Sequence, residues 1–590
     1  MGCFTVSHPN ESRASACGAG FERLEGVTVP STLVRTLRTL ADFAEIQGKT
    51  AEAADLRRAA EAIDAFPPDE AAGFVKRARR DRLTDEPGIN PTLHRRLREL
   101  ARGGGQMTVG AAQTPLPALF TELLNLHLLG TDEAASLVRH LGILTLAELQ
   151  LALLEGRVRE LGGDVLDERL RRAARALEAD GLSTPLGRAR DLLGGLAADI
   201  AAFLPGVDLV TPAGDVRRFE PLVFDLVIVA RAVDPSSAID AVSTMRGVEN
   251  VRHRGARRAM VTVRQTEVDV RVAAPEEYGT LLFHATGSPA HVHAIHGQSG
   301  PIHPALREDD VYAKAGLPFI QPELRQDSGE IEAAVAGELP ALISREHIRG
   351  DLHMHTHYSD GADTLDAMVA AGCRLGYEYI AITDHSERAA ASRTLTRSAL
   401  SRQRDEIDAI RRRYPDITIL HGIEADIMPD GSLDFPDRVL ERLDIVLASL
   451  HDSAHHDAKK LTWRCIQAIR HPLVTIVTHP ANRLVGRREG YPLDFDAVYE
   501  AAAETGTALE VDGAPSHLDL DGEHARAAVA AGVTLSIDSD CHRAQWLERQ
   551  MRLGIGTARR GWVERRHVLN ARPLAEVRAF IAAKRSRATS

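Results

Sequence analysis

Two short stretches decide the fold of the C-terminal part of this chain, Asp351-Leu352-His353-Met354-His355 and Asp538-Ser539-Asp540-Cys541-His542. In an extended strand, residues i and i+2 point the same way, so the two histidines of the first stretch can reach one metal ion. Asp540 and His542 can point inward together for the same reason. Imidazole combined with carboxylate suits zinc, manganese or iron. The two stretches therefore predict strand ends that carry metal ligands.

Short apolar runs alternate with helical segments between these stretches. The runs are 379–382, 417–420, 445–448, 474–477, 508–511 and 533–537. Such alternation predicts a parallel sheet, closed or open, with helices between its strands. The region is long enough for a barrel slightly smaller than the eight-fold type, which has roughly 250 residues.

Residues with metal-binding side chains follow these runs. They are Asp360, His385, Glu424, His451 and His479. Because the carboxyl ends of parallel strands meet on one face, we expect these side chains to converge. Of the 25 histidines, 15 lie from residue 347 onward, which argues against an accidental scatter. A carboxylate such as Glu424 can bridge two ions, and a multinuclear site of this kind turns water into hydroxide and clamps phosphate.

Length, charge and cysteine spacing limit which folds, partners and cell compartments are expected for the whole chain. With 590 residues, of which 44% are hydrophobic, it is expected to fold into three or four domains. The net charge of −12 argues against a surface that coats nucleic acid everywhere, and leaves room for a local basic groove. No apolar run can span a bilayer, so no membrane partner is expected. The five cysteines lack CxxC spacing, which predicts free thiols in a reducing cytoplasm.

The first 348 residues change character along the sequence. Residues 1–30 have little periodicity and are expected to be a disordered tail. Apolar residues recur at helical spacing over 31–105 and again over 106–181. Strand patterns follow at 222–229, 260–263 and 268–272. The segment 326–348 is rich in Ala, Glu and Gly, and we expect it to connect to the last domain.

From residue 349 to 590 the chain resembles the PHP (polymerase and histidinol phosphatase) family. The family's pattern of metal ligands is filled throughout, by His353, His355, Asp360, His385, Glu424, His451, His479, Asp540 and His542. The resemblance implies a distorted (βα)7 barrel of seven strands and helices. It also implies divalent ions, manganese or zinc, about three in number.

The resemblance further implies a role for each ligand. The first ion belongs to His353, His355, Glu424 and Asp540, the second to Glu424, His451 and His479, and the third to Asp360, His385 and His542. The residues implied in catalysis are His353, His355, Asp360, Glu424, Asp540 and His542. Arg483 and Asp512 stand in neighbouring motifs as candidates for contacting phosphate or sugar, with a salt bridge as the alternative.

The rest of the chain resembles bacterial family-X DNA polymerases that carry a PHP domain at their C-terminus. Residues 316–325 are similar to the end of the thumb, and Thr286-Gly287-Ser288 is similar to the palm–thumb junction. The implied fold class is multidomain, α+β and α/β. The implied boundaries are a tail at 1–30, a helical DNA-binding domain with helix-hairpin-helix elements at 31–105, a fingers-like domain at 106–181, a nucleotidyltransferase-like palm at 182–275, a thumb-like region at 276–325, a linker at 326–348 and the PHP domain at 349–590.

The palm departs from the family pattern at its carboxylates. Asp225 and Asp269 match the first and third metal-binding carboxylates, whereas Val227 stands in the second position. A valine cannot bind a metal, and phosphoryl transfer depends on metals that neutralise phosphate charge. We therefore expect weak magnesium binding, weak or lost nucleotide addition, and structural roles for the two remaining carboxylates.

Other nucleotide- and DNA-binding motifs depart as well. The turn at 214–218 resembles the nucleotide-binding turn, in which Gly214 and Arg218 are candidates for phosphate binding, but Asp215 replaces the usual serine. Of the helix-hairpin-helix elements, Gly88-Ile89-Asn90 retains most of its motif, whereas 129–131 and 162–165 retain little. We interpret the remaining arginine clusters as solvated faces, with a DNA track as the alternative.

These observations favour a DNA-repair phosphoesterase whose PHP domain is a 3′–5′ exonuclease or cleans DNA 3′ ends. The expected partner is DNA, single-stranded or at primer and gapped ends, and the expected state is a monomer. Three alternatives stay open: a gap-filling polymerase with exonuclease, a non-catalytic DNA-end-binding protein, and a small-molecule phosphatase. Primer extension separates the first alternative from the favoured function, and metal-dependent digestion of single strands separates the second.

Overall fold

The computed structural model describes residues 30–80, 91–102, 115–180, 183–300, 302–389 and 393–586. These residues form two compact units. The first lies within Met1–Leu116 and Leu129–His140, and the second within Pro117–Leu128 and Leu141–Ser590. Residues 1–29 of the expected tail and the hairpin Gly88-Ile89-Asn90 lie outside the described residues.

Eight α-helices precede residue 181 in the described ranges. They are α1 (Pro30–Ile46), α2 (Thr50–Asp64), α3 (Pro68–Arg79), α4 (Pro91–Arg102), α5 (Ala118–Asn125), α6 (Thr131–Ser136), α7 (Leu146–Leu154) and α8 (Arg157–Asp180). Helices α1 to α4 and α6 belong to the first unit. In α1, Leu33, Leu37 and Leu40 recur every three or four residues and are buried, so this stretch folds as an amphipathic helix. Gly163, with a φ of 77°, interrupts α8 within the predicted hairpin at 162–165.

A five-stranded sheet follows, in the order β2-β4-β7-β6-β5. The elements of this region are β1 (Thr184–Pro185), α9 (Leu186–Phe203), β2 (Val207–Ala213), α10 (Gly214–Arg218), β3 (Leu222–Val223), β4 (Val227–Ala232), α11 (Pro235–Ser243), β5 (Val248–Arg254), β6 (Arg258–Val263) and β7 (Thr266–Ala273). Strands β4 and β7 are parallel, and the other neighbours are antiparallel. Ile228, Val270 and Leu193 share the core between this sheet and its helices.

The strand predicted at 222–229 is wrong in one respect, because it is interrupted. Leu222 and Val223 pair with β1, and β4 begins only at Val227. A side chain binds the backbone between β3 and β4: Asp215 accepts a hydrogen bond from the Phe224 N–H at 2.8 Å. The strands predicted at 260–263 and 268–272 are confirmed within β6 and β7.

Four helices lie between this sheet and the last region. They are α12 (Tyr278–Thr286), α13 (Pro289–Ser299), α14 (Glu308–Lys314) and α15 (Glu330–Ala336). Phe283, Ile295 and Tyr312 form their shared core. Helix α15 lies within the predicted linker 326–348, and its Ile331 is buried in that core, so the segment also packs.

Seven parallel strands form the last region, in the sequential order β8 to β14. Its elements are β8 (Gly350–Asp351), α16 (Leu365–Arg374), β9 (Tyr379–Ile382), α17 (Arg397–Arg411), β10 (Thr418–Asp426), α18 (Asp437–Leu440), β11 (Ile445–Ser449), α19 (Ala458–Arg470), β12 (Ile476–Thr478), α20 (Phe495–Thr505), β13 (Ala508–Asp512), α21 (Gly522–Ala530), β14 (Leu535–Asp538), α22 (Leu547–Arg560) and α23 (Leu574–Ser586). A parallel bridge between Met354 and Cys541 brings the first and last strands together. The predicted barrel of seven strands is confirmed.

Successive side chains along each barrel strand point alternately toward the helices and toward the barrel interior. In β10, Ile419 and Ile423 pack outward against the helices, whereas Leu420 faces the interior. Glu424 has the same parity as Leu420, so it also points inward, at the carboxyl end of the strand. Val577 and Ile581 of α23 fill the interior with apolar side chains. The inward-facing carboxylate of Glu424 therefore lies at the opposite mouth.

Helix α22 packs the barrel against the five-stranded sheet within the second unit. Arg549 donates two hydrogen bonds to Asp191 of α9, at 2.9 and 2.8 Å. A Cβ on Gly556 would stand 1.9 Å from the ring of Phe219, so only glycine permits this approach. In the described ranges, no single helix has the length and apolar composition to cross a membrane, although one bent pair, Thr131–Leu141 with Leu146–Leu154, meets that criterion together.

Candidate metal centre

Glu424 lies at the centre of the polar cluster in the barrel mouth, and it is fully buried. Two imidazoles face its Oε1 atom, His479 at 3.0 Å and His451 at 3.5 Å. Three more face its Oε2 atom, those of His385 at 2.7 Å, His353 at 3.6 Å and His355 at 3.7 Å. A carboxylate with imidazoles on both oxygens has the placement of a bridging ligand.

Asp540 closes a second group with the two histidines that follow β8. Its Oδ1 atom lies 3.0 Å from Nε2 of His355 and 3.6 Å from Nε2 of His353. The two Nε2 atoms are 3.0 Å apart. Ligand atoms that sit about 2.1 Å from one metal stand roughly 3 Å from each other. The spacing therefore fits a shared ion.

A third group forms around Asp360. Its Oδ1 atom lies 3.2 Å from Nε2 of His542 and 3.5 Å from Nε2 of His385. His355 joins this group, and ligand atoms of all four residues lie within 4.8 Å of one another. His385 also groups with Glu424 and His451. The structure thus brings all nine predicted ligands to one mouth, with two histidines shared more widely than the resemblance implied.

Hydrogen bonds from Nδ1 orient three of these imidazoles. The Nδ1–H of His353 donates to Glu510 at 2.7 Å, and that of His451 donates to Asp426 at 3.0 Å. The Nδ1–H of His542 donates to the carbonyl oxygen of Asp540 at 2.9 Å. Each bond leaves the Nε2 lone pair aimed into the cluster, as in carboxylate–histidine–metal arrangements.

Sequence reasoning missed the two orienting carboxylates, Glu510 and Asp426. A signal existed, because each is an acidic residue at an inward position near the end of an apolar strand. Glu510 is fully buried and also accepts the backbone N–H of His479 at 2.8 Å. It therefore supports two predicted ligands at once.

Several buried polar atoms in the mouth form no hydrogen bond, although the cluster is crowded. They include Nδ1 of His355, Nδ1 of His385, Oε2 of Glu424 and Oδ1 of Asp360. Nδ1 of His385 lies 2.7 Å from Oε2 of Glu424, and Oδ1 of Asp360 lies 3.2 Å from Nε2 of His542, but their directions do not suit hydrogen bonds. Buried polar groups without partners are costly, whereas atoms that converge on a cation are satisfied by it. The donor set and its geometry fit divalent metal ions.

The imidazoles of the cluster differ in pKa: burial and the neighbouring imidazoles of His385 and His542 lower the pKa of His355 to about 4, whereas the pKa values of two others are raised. Burial lowers the pKa of His451, but the carboxylates of Glu424 and Asp426 outweigh it and raise that pKa to about 10. For His542, the carboxylate of Asp540 likewise outweighs burial, and the pKa rises to about 9. Without an ion these imidazoles therefore hold protons. A divalent cation replaces those protons, so its binding releases them.

His517 is a further residue that sequence reasoning missed. With Asp512 and Asp540 it forms another group of metal-binding atoms within 4.8 Å. Its ring stacks on that of His479, with centroids 5.2 Å apart. Arg483, the predicted phosphate contact, donates instead to the carbonyl oxygens of His517 and Leu518 and pairs with an aspartate of the same loop. It thereby holds the loop after β13, and its contact with phosphate stays a prediction.

In the five-stranded sheet, an arginine binds the residue that matches the third metal-binding carboxylate of the family pattern. Asp269 of β7 accepts two hydrogen bonds from Arg258 of β6, both at 2.8 Å, and one from Arg271 at 2.7 Å. The other side of the same two guanidiniums meets Glu148 of α7, at 2.8 to 3.0 Å. Burial raises the pKa of Glu148, but the two arginines outweigh it and lower the pKa to about 2. Val227 lies in register beside Asp269.

Asp225 and Asp215, the other two acidic residues near Asp269 in sequence-predicted motifs, both bind groups of the protein itself. Asp225 accepts the backbone N–H of Ala147 at 2.9 Å. Burial, helped by the negative charge of Asp215, raises the pKa of Asp225 to about 7. Asp215 forms a close ion pair with Arg218, whose guanidinium also donates to the carbonyl oxygen of Thr286 at 2.6 Å. The predicted phosphate-binding arginine therefore holds a carboxylate of its own chain.

A seven-stranded parallel barrel that gathers imidazoles and carboxylates at the carboxyl ends of its strands defines a metal-dependent phosphoesterase of the PHP class. The PHP domain model matches residues 351–487 of this chain. A probable phosphatase of Caldanaerobacter subterraneus subsp. tengcongensis is 32% identical over 203 residues, which cover 32% of this chain and 75% of that protein. A probable phosphatase of Shewanella oneidensis is 34% identical over 204 residues, which cover 33% of this chain and 76% of that protein.

A further relative extends the likeness to nearly the whole chain. The DNA polymerase/3′-5′ exonuclease PolX of Bacillus subtilis (strain 168) is 32% identical over 574 residues. The match covers 93% of this chain and 98% of that protein. The chain therefore belongs to the PolX family of family-X DNA polymerases with a PHP domain, and it is a metal-dependent hydrolase.

Proposed function

We propose that this protein is a 3′–5′ exonuclease, or a DNA 3′-end-processing phosphoesterase, whose chemistry resides in the PHP domain. One observation carries the proposal, the contrast between its two sites. Nine metal-binding side chains converge in the barrel mouth. In the palm-like sheet, by contrast, Arg258 occupies both oxygens of Asp269. The relative PolX is named as both a polymerase and a 3′-5′ exonuclease, which supports DNA as the substrate of this chain.

The PHP residues have distinct roles in this proposal. Glu510 and Asp426 hold the imidazoles of His353 and His451 so that both Nε2 atoms face Glu424. About three divalent ions, manganese or zinc, would supply hydroxide and neutralise the phosphate at this point. The barrel walls exclude bulk water from the cluster, because most of its ligands are buried.

We propose that nucleotide addition is weak or lost. A guanidinium bound to both oxygens of Asp269 stands where a metal would need those oxygens. Asp215 engages Arg218, which a nucleotide phosphate would otherwise contact. Groups of the chain itself thus engage Asp269, which would bind a metal, and Arg218, which would bind a phosphate. A working gap-filling polymerase is the alternative, and primer extension distinguishes the two.

The remaining parts of the proposal concern organisation and partners. The domain boundaries predicted from sequence, the nine ligand roles and a monomeric state in the cytoplasm are retained as proposals. DNA, single-stranded or at primer and gapped ends, is the proposed partner. The phosphatases that match do so over about a third of this chain, whereas PolX matches over 93%, which favours DNA over a small phosphate ester.

One assay tests these functions together. The full chain is incubated with manganese and a 5′-labelled primer-template, with and without nucleotides. We expect shortening from the 3′ end in both cases and no lengthening. Asp540→Asn should abolish shortening, whereas Asp225→Asn, beside the palm-like sheet, should leave it within about twofold of wild type. Efficient lengthening by the wild type would favour the polymerase, and no change in length despite binding would favour a DNA-end-binding protein.

A further inference from the structure

Besides Arg549, which is bound to Asp191, three arginine side chains line one cavity of about 530 Å³ in the second unit. They are Arg188 at the start of α9, Arg264 in the turn between β6 and β7, and Arg487 in the loop after β12. None forms an ion pair or a side-chain hydrogen bond within the part of the chain that the structure describes. We name this cavity the arginine groove.

The arginine groove carries uncompensated positive charge. The acidic residue in its wall, Asp191, is occupied by a two-fold hydrogen bond from Arg549. Three free guanidiniums therefore face one space in a chain whose net charge is −12. Like charges that share a cavity repel, so an anion between them stabilises the arrangement. Arginine in particular suits phosphate, which it can bind through two N–H groups at once.

One end of the arginine groove opens toward the palm-like sheet. Arg188 also lines a second cavity, of about 430 Å³, beside Asp225 and Asp269. At the turn, Arg264 and Gln265 have φ values of 48° and 61°, and this turn sends Arg264 to the groove and Gln265 to the second cavity. Apolar and uncharged polar side chains form most of that second wall, which suits a nucleobase rather than a phosphate.

The other end of the arginine groove reaches the rim of the PHP barrel. Its wall includes Ser516, whose carbonyl oxygen accepts the backbone N–H of Val485 at 2.8 Å. The next residue, His517, stacks on the predicted metal ligand His479. Both loops follow barrel strands at their carboxyl ends, the face on which the metal ligands lie. The groove thus lies between the cavity beside Asp225 and Asp269, here called the palm-like cleft, and the loop that carries His517.

We propose that the arginine groove binds the phosphate backbone of a single DNA strand and leads its 3′ end from the palm-like cleft to the PHP metal centre. This inference rests on the exonuclease function proposed above, and it assigns that function a substrate path. The palm-like sheet then serves to hold the strand. Arg188, Arg264 and Arg487 each contact a phosphate.

The test compares two triple variants of the full chain. Arg188→Ser/Arg264→Ser/Arg487→Ser empties the groove. The matched control, Arg374→Ser/Arg412→Ser/Arg470→Ser, removes the same charge from the C-terminal ends of α16, α17 and α19, beside the opposite face of the barrel. Binding of a fluorescent single-stranded oligodeoxynucleotide is measured by anisotropy over a range of salt, and cleavage of it is compared with that of bis-(p-nitrophenyl) phosphate in manganese.

Three lost phosphate contacts should weaken oligonucleotide binding on the order of tenfold to a hundredfold, and reduce the slope of log affinity against log salt by about 2. The ratio of kcat/KM for the oligonucleotide to that for the small diester should fall by a similar factor, and the control should match wild type. Equal affinity and equal salt slope in the two triple variants would contradict the proposal that the arginine groove binds DNA. If the wild type cleaves neither substrate, the exonuclease proposal fails. The anisotropy measurement still shows whether the arginine groove binds DNA.

Discussion

Replacing Asp269 with Asn tests whether an internal arginine has taken the place of a metal in the palm-like sheet. The substitution keeps the shape of the side chain and removes its charge. In the structure, Asp269 is 2% exposed and accepts two hydrogen bonds from Arg258 and one from Arg271. The variant therefore leaves two guanidiniums in the interior with only Glu148 as a counterion.

The expected cost follows from burial. Removing one partner of a buried ion pair typically costs about 3–5 kcal/mol of unfolding free energy. Glu148 remains bound to both arginines at 2.8 to 3.0 Å, so the lower end, about 3 kcal/mol, applies here. For a cooperative unit the size of the compact second unit, roughly 460 residues, this corresponds to a fall in Tm of about 3 °C.

A matched control exists in the same sheet. Asp208 and Arg231 form a pair of the same two-bond geometry, both bonds at 2.8 Å, but Asp208 is 61% exposed. Asp208→Asn should cost less than about 1 kcal/mol. Differential scanning calorimetry of both variants and wild type, with manganese in excess, measures the difference. If Asp269→Asn shifts Tm no more than Asp208→Asn does, Arg258 does not stabilise this site and the metal-replacement argument fails.

Three further predictions concern the metal centre and the acidic groups. Elemental analysis should find about three divalent ions per chain, and their removal by chelator should abolish phosphodiester cleavage until manganese returns; an active metal-free protein would contradict this. Glu510→Gln should lower metal affinity about tenfold to a hundredfold in chelator competition, because the imidazole of His353 loses its charged acceptor; unchanged affinity would exclude the orienting role. In the folded protein the pKa of Asp225 is raised to about 7. Between about pH 4 and about pH 7 the folded state therefore keeps a proton that the carboxyl of Asp225 loses in the unfolded state. Asp225 thus lowers the free energy of unfolding increasingly as the pH rises through this range. Asp225→Asn should therefore stabilise the protein more at pH 8 than at pH 5, and equal effects in thermal unfolding at the two values would refute the shift.

Most of the barrel was predictable because its signals are local. Each apolar run encodes one strand, and strand alternation alone places Glu424 on the inner side of β10. The break between β3 and β4 was not predictable, because it depends on hydrogen bonds that Asp215 and Asp225 form with the backbone. Apolar residues on both sides of that break give the same pattern as a continuous strand.

By itself, the sequence determined which side chains could bind metal ions in the barrel and that Val227 stands at the second carboxylate position of the palm, since both depend on which residue types stand at particular strand positions. Only the tertiary structure decided what surrounds them. Glu510 meets His353 across 157 positions of sequence, and Arg258 meets Glu148 across 110. The arginine groove likewise joins three segments that no local pattern connects. Strand periodicity acts between neighbours along the chain, whereas charge pairing and cavities depend on which surfaces pack together.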